Sequence, residues 1–187
     1  LCAQRCPVGI NTGDLVRKLR GRNADNTRAA TWLAEHFRTA VQGARFMLHV
    51  ANGAHLLMGT RLLSKTSAAL TNASKGRVPQ WSSATPQPLQ RLHLPKPSSQ
   101  DQRPRVVYLA ACVSRAMGPA ARDQEQEPLL DTTRTLLEKA GYQVIFPDEL
   151  NNLCCGQPFA SKGYAEQAEQ KRQETLDALL KASRGGL

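Results

Sequence analysis

Five cysteines offer the most specific chemistry in this chain of 187 residues: Cys2, Cys6, Cys112, Cys154 and Cys155. Cys2-Ala-Gln-Arg-Cys6-Pro7 is a short loop of two thiols followed by proline. The bacterial ferredoxin run C-x2-C-x2-C-x3-C-P ends in the same way, and its last cysteine serves the other cluster of a two-cluster pair. On that reading Cys2 and Cys6 are the third and fourth thiolates of a run whose first two lie upstream. The spacing by itself also suits two ordinary loop thiols. Cys154-Cys155-Gly156 is more specific. Adjacent thiols can bridge metal atoms, and glycine lets the backbone turn closely around a bulky cluster. The competing reading is a buried apolar pair, because an unligated cysteine behaves as a small hydrophobe.

Other chemistries find little support. His36, His49, His55 and His93 form no zinc-type pair with a cysteine or carboxylate, so packing or surface roles suit them better. There is no glycine-rich phosphate loop and no nucleophile elbow. Basic and aromatic residues do not interleave as they do in single-strand nucleic-acid grooves, so no nucleic-acid partner is expected. The cysteine count is odd and two cysteines are adjacent, which argues against a secreted disulfide framework. Thiols kept for metal or redox work suit a reducing compartment, and a cytoplasmic location is expected. The sequence has no apolar run of about 18 residues, the minimum for a spanning helix. It opens without an initiator methionine, inside a cysteine motif, and reads as part of a longer protein.

The elements that must position these thiols fall into two textures. Thr12 can cap a short helix carrying Leu15, Val16 and Leu19 and ending near Gly21. A second helix is expected from Thr27. Its face of Ala30, Leu33, Phe37, Ala40, Val41 and Ala44 repeats at three- and four-residue steps, and the pattern runs on to Ala51. A further helix follows from about Ala54 to Ala73. Residues 1–75 therefore read as all helical, and the likeness of Cys2 and Cys6-Pro7 to the end of a ferredoxin run makes them a candidate ferredoxin-type domain. Residues 76–104 hold six prolines with several serines and glutamines. Proline removes a backbone donor and restricts its predecessor, so this stretch reads as an extended linker without regular elements, pinned to a domain by Trp81.

Residues 105–187 read as α/β. Arg105–Ala111 suits a buried strand, Pro128–Ala140 a helix, Tyr142–Phe146 a second strand and Tyr164–Ala182 a final polar helix. Strand–helix–strand order implies a parallel sheet with a right-handed crossover. Cys112 and the Cys154–Cys155 pair would then both lie just beyond strand ends, the edge at which such sheets gather their sites.

The net charge of +10 is uneven. Residues 1–104 carry 15 Lys/Arg against 4 Asp/Glu, and residues 105–187 carry 10 against 11. A basic half suits an anionic membrane surface, an acidic protein, nucleic acid, or simply a solvated face.

The residues also resemble a known family. Leu109-Ala-Ala-Cys112-Val-Ser-Arg-Ala-Met-Gly118 and Leu153-Cys-Cys-Gly-Gln-Pro-Phe-Ala-Ser-Lys-Gly163 look like the cysteine-rich CCG domain. That domain occurs in heterodisulfide reductase subunits and in the iron–sulfur subunits of glycolate and lactate oxidases. Cys-Pro-Val-Gly-Ile-Asn-Thr-Gly at 6–13 and Trp-Leu-Ala-Glu-His-Phe at 32–37 bring the chain nearest to the FAD-linked D-lactate dehydrogenase type. There a flavin domain, a ferredoxin domain and a CCG domain share one polypeptide. Family members often carry proline where Ala110 stands, a departure that leaves the thiols untouched. The resemblance implies Cys2, Cys6, Cys112, Cys154 and Cys155 as ligands of [4Fe-4S] clusters, with Gly156 shaping the cluster loop. FAD would sit in a part preceding Leu1, and the CCG pattern expects a further cysteine beyond Leu187. The implied activity is that of an oxidoreductase: FAD takes a hydride equivalent from a 2-hydroxy acid, and clusters pass electrons to a quinone or cytochrome. The fragment alone is expected to be inactive. Peripheral association at the inner face of the membrane is a further expectation. A separate glycolate-oxidase-like or heterodisulfide-reductase-like subunit, or a basic binding module with structural cysteines, are the alternatives.

Overall fold

The computed structural model describes residues 11–24, 26–89, 94–95 and 101–185. The chain divides into two compact units, Leu1–Arg38 with Asn152–Leu187, and Thr39–Asn151.

In the first unit, helix α1 spans Thr12–Arg22. Its cap is Asn11 rather than Thr12: the Asn11 Oδ1 accepts from the backbone N–H groups of Gly13 and Asp14 at 3.1 and 3.3 Å. A side-chain oxygen one residue before the helix reaches these otherwise unpaired donors. Helix α2 spans Thr27–Glu35 and stops at His36 instead of running on. The His36 ring stacks on Trp32, and its Nδ1 lies 3.0 Å from the Trp32 carbonyl, which also accepts the His36 backbone N–H. Helix α3 follows over Phe37–Ala73.

The short helix α6 (Gln157–Ala160) and the long helix α7 (Ala165–Ala182) complete this unit. Ala30 and Ala34 are buried, and α2 packs on α7. Small side chains at a four-residue step let the two backbones approach. The polar character of α7 is also explained. Its inward stripe is Gln167, Lys171 and Thr175, again at four-residue steps, and each finds a partner. Gln167 Nε2 donates to Thr31 Oγ1 at 3.0 Å, Lys171 Nζ to Glu174 at 2.5 Å, and Thr175 Oγ1 to the Cys154 carbonyl at 2.9 Å. Burial of polar groups is tolerable when they are hydrogen-bonded in this way.

In the second unit, α3 contains a break at Gly59, where φ is 72° and ψ 170°. L side chains rarely adopt this backbone, and glycine does so without steric cost. The helical pattern expected to pause between Ala51 and Ala54 therefore turns instead at Gly59. Strands β2 (Arg105–Val107) and β4 (Gln143–Ile145) pair in parallel, with Val106 opposite Val144. Between them lie the short helix α4 (Cys112–Ala116), strand β3 (Met117–Ala120) and helix α5 (Leu129–Lys139). Val144, Leu130 and Ala110 are buried.

The proline-rich stretch is more regular than its composition suggests. Strand β1 (Pro86–Pro88) pairs antiparallel with β3. Proline is compatible with a two-stranded edge because it needs to supply no ladder donor there. The donor comes one residue later, where the Leu89 N–H reaches the Ala116 carbonyl at 3.1 Å. Trp81 pins the stretch: its backbone N–H donates to Ser67 Oγ at 3.2 Å, and its ring lies 4.8 Å from that of His55.

Candidate metal centre

The site builds outward from Gly156. It sits at φ 79°, directly before α6, and a Cβ placed on it would come within 2.3 Å of the Ala168 carbonyl. Only glycine fits so close to the backbone of α7. This tight passage fixes the direction of the two residues before it, and they part company. Cys154 is 2% exposed, and its carbonyl is held by Thr175. Cys155 is exposed. No S–S bond joins Cys112, Cys154 and Cys155.

Cys155 opens on a pocket of about 440 Å³ with a basic rim, in which Arg17 and Lys18 of α1 and Arg172 of α7 appear beside Glu169. Helix α1 is held there by two contacts. Arg20 donates to the Ser161 carbonyl at 2.6 Å, and Gly163 meets Gly21 so closely that a Cβ on Gly163 would lie 2.4 Å from the Gly21 nitrogen. Glu169 is paired with Arg172, whose Nε donates to it at 2.7 Å. That hydrogen bond holds the Glu169 carboxyl below its ordinary range and raises the Arg172 guanidinium. With Glu169 held by Arg172 and Asp14 by Arg17, Lys18 leaves the pocket rim net positive, a favourable setting for an anionic group.

Cys112 is half-buried at the first residue of α4, in the unit Thr39–Asn151. Cys2 and Cys6 lie outside the described residues. Among the described residues, no group of three or more His, Cys, Asp or Glu side chains is gathered to hold a metal ion. The donor type nevertheless fits the implied cofactor. Sulfur is the soft ligand that iron–sulfur clusters take, whereas hard cations prefer oxygen. Arg17, Lys18 and Arg172 were not singled out from the sequence. A basic pair on a surface helix carries no signal that it faces a loop 141 positions away, the separation that the Arg20–Ser161 contact spans.

No curated protein and no solved structure matches this chain. Its residues 106–184 match the family model of the CCG cysteine-rich domain.

Proposed function

We propose that this chain is the iron–sulfur electron-transfer portion of a flavin-linked 2-hydroxyacid dehydrogenase of the D-lactate type. In this reading it takes electrons from FAD and delivers them to a quinone or cytochrome. The observation that carries the reading is the CCG match over residues 106–184, which encloses Cys112, Cys154 and Cys155. The exposure of Cys155 to a basic pocket supports it further.

The residues have distinct parts in it. Cys112, Cys154 and Cys155 would each supply a cluster thiolate, and Cys2 and Cys6 would belong to a ferredoxin-type pair. Gly156 keeps the loop tight against α7, so that Cys155 faces the pocket. Lys18, with Arg17 paired to Asp14 and Arg172 to Glu169, would leave a net positive rim that stabilises the negative charge of a thiolate-bound cluster, and more so in its reduced form. A bound [4Fe-4S] cluster supplies one-electron chemistry, and FAD would supply the hydride chemistry.

The test is anaerobic reconstitution, with iron and sulfide, of the protein extended at both ends to the remaining expected cysteines, followed by elemental analysis and electron paramagnetic resonance. Serine is nearly isosteric with cysteine but a poor ligand for soft iron. Cys155→Ser should abolish one signal and leave any signal that depends on Cys6 unchanged. A chain that takes up zinc but no iron would sink the reading. In the flavin-containing enzyme, Cys155→Ser should leave flavin bleaching by D-lactate intact and slow reduction of the acceptor. Collapse of bleaching in a folded variant would instead assign Cys155 to substrate chemistry.

A further inference from the structure

Residues 36–100 contain eight Lys/Arg and not one Asp or Glu. Helix α3 lies wholly within this stretch, and its break at Gly59 is flanked by apolar side chains turned to solvent. Leu57 is 89% exposed and Leu56 78%, the two most exposed large hydrophobics among the described residues. Met58 and Leu62 beside them are exposed as well, and so are Arg61 and Lys65. Upstream, Phe46, Val50 and Leu57 recur at steps of four and seven, which puts them on one helical face. All three are at least half exposed.

Large apolar side chains gathered in this way in water are costly and mark an interaction site. Charge decides what covers it. A second copy would bring Arg61 and Lys65 against the same cations, with no acidic residue in the stretch to meet them. A bilayer interface of anionic lipid accepts both kinds of side chain: the acyl boundary takes Leu, Met and Phe, and the headgroups take Arg and Lys. No helix among the described residues is long and apolar enough to cross a membrane. The contact is therefore with the surface.

We propose that the broken helix Phe37–Ala73 is an interfacial membrane anchor, in which Leu56, Leu57, Met58 and Leu62 enter the acyl boundary of an anionic bilayer while Arg61 and Lys65 engage its headgroups. The inference does not rest on the iron–sulfur reading, because none of these residues is a thiol or lines the Cys155 pocket. It nevertheless suits delivery of electrons to a membrane-dissolved acceptor.

The experiment is flotation of the full chain with vesicles of equal parts phosphatidylglycerol and phosphatidylcholine, beside vesicles of phosphatidylcholine alone. The chain should float with the anionic vesicles and not with the neutral ones, and salt should weaken its binding. Leu56→Ser with Leu57→Ser should lower partitioning at least about tenfold, since each leucine buried contributes on that scale. Arg61→Glu with Lys65→Glu should do likewise, as each basic residue near an anionic surface is worth about fivefold. All four positions are solvent-exposed, so circular dichroism melts should be unchanged. Failure to prefer anionic vesicles overturns the proposal, as does binding that survives the leucine changes. A dimer in light scattering that dissociates on Leu57→Ser also overturns it, by showing that a second copy covers the face. No cluster is needed for any of these readings, so the anchor and the electron-transfer function fail separately.

Discussion

Lys171 is the least expected residue in the chain. It lies in a helix that reads as polar throughout, yet it is 1% exposed, with its ammonium 2.5 Å from Glu174 Oε2 and 5.5 Å from the centre of the Phe37 ring. A buried ammonium is expensive to desolvate, and its partners recover the cost only partly. Removing the carboxylate should therefore be worse than removing the charge altogether. Glu174→Ala leaves the ammonium buried with one partner fewer and should cost about 2 kcal/mol. Lys171→Met keeps the volume, drops the charge and should change stability by less than about 1 kcal/mol. Urea unfolding of the two variants decides it. If Lys171→Met proves the more damaging, the ion pair is a net source of stability and the desolvation argument is wrong here.

At the scale of elements, the proline-rich stretch is the place where local composition misleads. Leu89 is 2% exposed, its N–H reaches the Ala116 carbonyl, and its own carbonyl accepts from Arg45 at 2.5 Å. It is a core residue of the unit Thr39–Asn151, and Leu89→Ala should cost about 3 kcal/mol, the scale of a buried leucine truncated in a core. A surface-linker residue would lose under about 0.5 kcal/mol, so the denaturation midpoint separates the two views. The same contrast shows what sequence could and could not reveal. Helices at Leu129–Lys139 and Ala165–Ala182, and strands at Arg105–Val107 and Gln143–Ile145, lie within the segments that periodicity and apolar runs indicate, because each is specified by its own residues. Strands β1 and β3 exist only through each other, and Pro86, Pro88, Gly118 and Pro119 hide both. The break at Gly59 was equally hidden, since glycine inside a helical pattern is usually just tolerated. The thiols were legible by type. The Arg17–Lys18–Arg172 rim was not, because it is assembled across the whole length of the unit, and neither was the divergence of Cys154 and Cys155.

For the molecule as a whole, the division into two units has an energetic consequence that its two tryptophans can report. Trp32 belongs to the unit Leu1–Arg38 with Asn152–Leu187, and Trp81 to Thr39–Asn151. Each unit has its own buried set: Ala30, Ala34, Leu153 and Phe159 in the first, Leu63, Leu89, Leu130 and Val144 in the second. Trp81→Phe leaves fluorescence that follows the first unit, and Trp32→Phe leaves fluorescence that follows the second. Gly156→Ala introduces a Cβ within 2.3 Å of the Ala168 carbonyl at a left-handed backbone position, and should cost the first unit about 2 kcal/mol or more. In the Trp32 reporter, Gly156→Ala should lower the urea midpoint well beyond the shift caused by Leu89→Ala. In the Trp81 reporter the order should reverse. Cooperative blocks that follow supersecondary units behave in this way, each opening with its own free energy. Equal shifts of both reporters by both substitutions would mean that the chain unfolds as one cooperative block. Damage to the Cys155 loop would then be felt equally at Leu57 and the exposed face of α3, and a cluster ligand could not be replaced without loosening the surface proposed to hold the membrane.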